Sequence, residues 1–177
     1  MIKRFFQIAP FALASLLIIS VSSCLKPASY PNEPALETIS YTKMGDSLLL
    51  SMTFTDGDGD IGLNPGDTTG DYSSNSFYHF NLYVEYYEMM NGTWVKGTQD
   101  PSGDNFPLAD TINFSYRIKN LTPIGQNKTL KGTINITVEP VYYNVISNHS
   151  DTIKYRVSLI DRALNVSNFL ETEPIIR

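Results

Sequence analysis

Tyr78-His79-Phe80-Asn81-Leu82-Tyr83-Val84-Glu85-Tyr86-Tyr87 reads with a period of two. Tyr78, Phe80, Leu82, Val84 and Tyr86 fall on one side, and His79, Asn81, Tyr83, Glu85 and Tyr87 on the other. Successive side chains of a β-strand point to opposite faces of its sheet, so this is a strand with one buried and one wet face. A helix groups residues three and four apart, which here would set Glu85 beside Leu82 and Asn81 and leave no apolar stripe.

The same alternation recurs on both sides of this segment. Leu48, Leu50, Met52 and Phe54 alternate with Leu49, Ser51 and Thr53, and Ile112, Phe114, Tyr116 and Ile118 with Asn113, Ser115, Arg117 and Lys119. Ile134, Ile136 and Val138 alternate with Asn135 and Thr137, and Ile153, Tyr155, Val157 and Leu159 with Lys154, Arg156 and Ser158. A first strand is placed around 39–42 and a last around 166–172. Gly45-Asp46 separates the first two strands, and Asn91-Gly92 makes a hairpin between the Tyr-rich strand and 93–96. Residues 56–76 and 97–110, rich in Gly, Asp, Ser and Pro, read as long irregular connections. The expectation is an all-β fold without helices: a two-sheet antiparallel immunoglobulin-like sandwich of about seven or eight strands. The pattern resembles the immunoglobulin-like and fibronectin-type-III-like domains of bacterial surfaces, without the Cys-Trp-Cys hallmark of antibody domains.

The N-terminus carries an export pattern. Lys3 and Arg4 precede an apolar run through Ile8, Phe11, Leu13, Leu16, Leu17, Ile18 and Ile19, shorter than the roughly 20 residues of a spanning helix. Val21-Ser22-Ser23 then leads into Cys24, the only cysteine. This resembles the lipobox of bacterial lipoproteins, with Val21 where leucine is usual. The resemblance implies that residues 1–23 are a signal peptide and that Cys24 becomes an N-terminus bearing palmitate-type acyl chains. It also implies attachment to the cell envelope, and Leu25, which is not aspartate, fits sorting to the outer membrane. Each buried methylene contributes about 0.8 kcal/mol, and more than one chain makes the attachment stable. Residues 24–35, with Pro27, Pro31 and Pro34, form a stiff lipidated tether, and 36–177 the sandwich domain. With Cys24 acylated, no disulfide can staple the domain.

Removing residues 1–23 takes away Lys3, Arg4 and no acid, leaving 11 basic against 18 acidic residues and a net charge of −7. That balance argues against nucleic acid and against adhesion to anionic headgroups.

Phe54-Thr55-Asp56-Gly57-Asp58-Gly59-Asp60-Ile61-Gly62 is the sharpest local feature. Carboxylates at alternate positions, separated by glycines that allow tight curvature, suit a hard cation such as calcium, which needs six to eight oxygen ligands. It is not an EF-hand, because Ile61 stands where that loop requires glycine and Asp67 where it requires glutamate. It resembles the Asp-Gly-Asp-Gly turns of calcium-binding sandwiches on bacterial surfaces. In such a sandwich the loop after the second strand and the loop between the last two lie at one end. The latter loop, Asp161-Arg162-Ala163-Leu164-Asn165, resembles the Asp-Arg-Ala-Gly-Asn hairpins of bacterial immunoglobulin-like domains, with Leu164 replacing glycine. Candidate calcium ligands are Asp56, Asp58, Asp60, Asp67 and Asp161, with Asn165 nearby. Arg162 is the alternative counter-charge.

Tyr83 and Tyr87, on the polar face, are candidate contacts for an unknown protein or glycan partner, or simply sheet-surface residues. The two histidines, His79 and His149, sit in no catalytic motif, and the chain carries no nucleophile elbow, zinc-protease motif or phosphate loop. The expected function is a non-enzymatic, membrane-anchored envelope module for binding or scaffolding, with a structural calcium site. The alternatives are a structural subunit of an outer-membrane protein assembly without metal, and a hydrolase with a carboxylate-lined cleft.

Overall fold

The computed structural model describes residues 29–99, 111–126 and 128–177. The export signal, Cys24, the start of the tether and Asp100, Asp104 and Asp110 lie outside the described residues. Among the described residues, nine strands make two antiparallel sheets. The first holds β1 (Ala35–Met44), β2 (Ser47–Asp56) and β6 (Leu130–Val138) in the order β1-β2-β6. The second is built on β3 (Leu82–Met90) and β7 (Thr152–Leu159). β4 (Thr93–Lys96) and β5 (Asn113–Tyr116) share the outer edge of β3, while β8 (Leu170–Glu171) and β9 (Ile175–Ile176) share that of β7. The chain is therefore the expected two-sheet sandwich, with the first, second and fifth main strands in one sheet and the third, sixth and last in the other.

The alternation predicts which residues fill the space between the sheets. Leu48, Leu50, Met52 and Phe54 face Leu82, Val84, Tyr86, Ile153, Tyr155, Val157 and Leu159, with Ile134, Ile136 and Val138 completing the layer, and all are buried. Each such side chain contributes about 1.5–3 kcal/mol on burial. Glu88 and the core tyrosines, drawn inside, are paired. Tyr86 Oη donates to Glu88 Oε1 at 3.0 Å, Ser147 Oγ donates to Glu88 Oε2 at 2.6 Å, and Tyr155 Oη donates to the Tyr142 carbonyl. These bonds tie the 139–150 connection to the second sheet.

Several boundaries differ from the periodicity, β1 and β6 being longer than expected. Ser76 accepts a hydrogen bond from Tyr78 N and starts a short 3-10 helix, Phe77–His79, so β3 begins at Leu82 rather than 78. Gly70–Tyr72 is a second 3-10 turn where no helix was expected. Asn81 is buried, and its amide takes over the pairing: Oδ1 accepts from Ile118 N at 2.7 Å and Nδ2 donates to Ile118 O at 3.3 Å. β5 accordingly stops at Tyr116. The last strand is split, because Val166 bridges Ile160 within the final hairpin and only Leu170–Glu171 and Ile175–Ile176 reach β7.

Candidate cation site

β2 ends at Asp56, and the chain turns at once through Gly57-Asp58-Gly59-Asp60. The turn is pressed against backbone on several sides. Gly57 N donates to Pro31 O at 2.7 Å and Leu121 N to Ile61 O at 2.8 Å, and Thr129 Oγ1 donates to Gly57 O at 3.1 Å. Gly59 adopts φ of 68°, and a Cβ there would lie 1.7 Å from the Lys128 carbonyl oxygen. The glycines are thus demanded by close approach as well as by curvature.

The final hairpin arrives from the other side. Ile61 and Asp161 form an antiparallel bridge, and Arg162 N donates to Asp60 O at 3.2 Å. Within the hairpin, Asp161 Oδ1 accepts from Asn165 N and Oδ2 from Asn165 Nδ2, both at 2.8 Å. Leu164, in place of the glycine of the resembled hairpins, holds φ of 69°.

Carboxylate oxygens of Asp56, Asp60 and Asp161 lie within 4.8 Å of one another. Asp56 is 0% exposed and Asp161 2%. Asp56 Oδ2 accepts from Asp60 N at 2.9 Å, but Oδ1 of Asp56, of Asp58 and of Asp60 are buried without a hydrogen-bond partner. Burial, then the charges of Asp58 and Asp60, push the Asp56 carboxyl up to about 7. Asp60 is raised by burial and by Asp161 and Asp58, and Asp161 by burial and Asp58 against its bonds to Asn165. Asp58 therefore stands close enough to act on all three, outside the tightest group.

Asp67 is not brought into the cluster. Its Oδ2 accepts from Asn64 N at 2.8 Å and Asn64 Nδ2 at 3.2 Å, and it faces Arg162 Nη2 at 3.6 Å. The Arg162 guanidinium is thereby drawn to Asp67, and its carbonyl accepts from Tyr72 Oη at 2.5 Å. Among the described residues, the cluster has no ion pair with a lysine or arginine.

Tyr83 and Tyr87 both lie on the outer face of β3. Tyr83 stacks on Phe77 with ring centroids 4.7 Å apart, whereas Tyr87 donates to Glu85 Oε2 at 3.2 Å beneath Lys154 and Arg156. Phe77, Val166 and Phe169, exposed beside Tyr83, escaped sequence reasoning because they stand in irregular segments where no periodicity marks a face.

Comparison of the chain with protein-family models, with curated proteins and with solved structures finds no match.

Proposed function

We propose that the chain is a lipoprotein anchored through Cys24 in the bacterial cell envelope, at the outer membrane, where its sandwich serves as a non-enzymatic binding or scaffold module clamped by calcium. The observation that carries the metal reading is the Asp56, Asp60 and Asp161 cluster, in which Asp56 and Asp60 each keep a buried, unpartnered oxygen. An unpaired buried carboxylate is costly, and a cation is the partner that relieves it. Carboxylate oxygens from three residues, all within 4.8 Å of one another, can share one hard divalent cation, and calcium accepts such a set with the loosest geometry. Asp56, Asp60 and Asp161 would be side-chain ligands, with Asp58 at the rim. The ion would join the loop after β2 to the final hairpin and so cross-link two segments distant in sequence.

The test is thermal melting of residues 26–177 with calcium and with EDTA. Calcium at about 100 times its dissociation constant stabilises by about 2.7 kcal/mol. For a domain of this size that is roughly 5–10 °C. Asp56→Asn keeps an oxygen for the Asp60 amide and removes a buried charge, so its EDTA-treated form melts no lower than the parent while its calcium gain disappears. A gain that persists in Asp56→Asn sinks the assignment.

A further inference from the structure

The outer face of the second sheet holds a recess of about 360 Å³ whose floor follows from strand register. Ser115, Tyr83 and Ser158 form one row across β5, β3 and β7, and Asn113, Glu85 and Arg156 form the next. Ser158 is only 8% exposed, and neither its hydroxyl nor that of Ser115 has a hydrogen-bond partner among the described residues. The rim is apolar: Phe77 is 63% exposed, Phe169 56% and Val166 51%. Glu85 is bound by Lys96 Nζ and by Arg156 Nε, each at 2.5 Å.

We propose that this recess binds a pyranose sugar, the C–H face of the ring lying on the exposed aromatic rim and its hydroxyls on Ser115, Ser158 and Asn113. A recess with mostly apolar walls and a few polar groups is the usual form of a small-ligand site. The polar groups select the class. Serine hydroxyls both donate and accept, as sugar hydroxyls do. An acyl chain would leave Ser115 and Ser158 without partners and gains nothing from them. A cationic ligand would meet Lys96 and Arg156, two positive groups on one carboxylate. Lys96 lines the recess beside Glu85 and Arg156 lies over the ring of Phe169, so these three groups leave one positive charge at the recess, which favours a uronic acid over a neutral sugar. The rim is carried by the same two segments that supply the carboxylate cluster: Phe77 follows the Asp-Gly turn, and Val166 and Phe169 follow Asp161. A cation there would hold the lips of the recess. The assignment rests on the reading of the chain as a binding module, and not on the metal.

Saturation-transfer and amide-shift NMR on residues 26–177 would use methyl glucuronoside and methyl glucoside as probes. The expected result is millimolar binding of the glucuronoside with transfer to its ring C–H protons, shifts at the Ser115 and Ser158 amides, and weaker binding of the glucoside. Phe77→Ala, at an exposed position that does not threaten folding, should weaken it roughly fivefold. No transfer to either sugar overturns the proposal, as does equal binding by Phe77→Ala, or a fatty-acid probe that shifts these amides where sugars do not. Calcium heat without sugar binding would remove the sugar site alone. Sugar binding retained without any calcium heat would remove the metal alone.

Discussion

The Asp56 carboxyl is shut off from solvent, and one of its oxygens has no donor. Its effect on stability follows from the direction of its shift. The unfolded chain releases this proton near 3.8, the folded, metal-free protein near 7. Between those values the folded state holds a proton the unfolded state has lost, so stability falls as pH rises through about 4 to 7. Asp60 and Asp161, also raised, steepen the same slope. The metal-free protein should therefore melt higher at pH 5 than at pH 8. Calcium acts in the opposite sense, because it must displace the proton. Its thermal gain should be small at pH 5 and large at pH 8, measured by calorimetric scans with and without EDTA. A melting temperature in EDTA that climbs from pH 5 to pH 8 would contradict this reading of the cluster.

At the scale of elements, the turn after β2 is a hub on which the tether, the 118–129 connection and the final hairpin converge. Two glycines in it should behave differently. A methyl at Gly59 meets the Lys128 carbonyl at 1.7 Å in a left-handed conformation, and neither side can yield without breaking the hub. Gly59→Ala should cost roughly 2–4 kcal/mol in urea unfolding. At Gly57 the methyl meets Tyr30 O at 2.3 Å and Pro31 O at 2.6 Å, on the segment before β1 that the Gly57 bond to Pro31 O holds to the turn. Gly57→Ala should lose only the bond to Pro31, about 1 kcal/mol, and speed hydrogen exchange at residue 57. Equal losses in the two variants would mean that the tether is held as rigidly as the core. What the sequence made legible divides along the same line. The inner faces of β2, β3, β6 and β7 follow from the period of two, because burial there is a local pattern. The start of β3 does not, since it depends on the Asn81 side chain meeting Ile118, and the break between β8 and β9 depends on the bridge from Val166 to Ile160. Asp161 near Asp56 was legible through topology, whereas the pairing of Asp67 with Arg162 was hidden, because no rule of spacing aims a guanidinium.

Across the whole molecule, Ala35 pairs with Thr55, so the tether joins the domain at the pole where β2 ends and the carboxylates gather. Were the chain anchored through Cys24 as proposed, that pole would be the one nearest the lipid. Cys24→Ser should abolish incorporation of labelled palmitate and move the protein from the membrane fraction to the soluble one. Continued labelling would place the acyl chain elsewhere. The proposed clamp at this pole is best tested by titrating calcium calorimetrically into residues 26–177 beside Asp58→Asn, whose carboxylate acts on the cluster from its rim. Saturation near one equivalent, with clearly weaker binding by Asp58→Asn, is the expected result. No heat at millimolar calcium would reduce the Asp-Gly turn to a solvated loop and remove the metal from its function, and identical saturable curves for the two proteins would place the bound ion away from that turn.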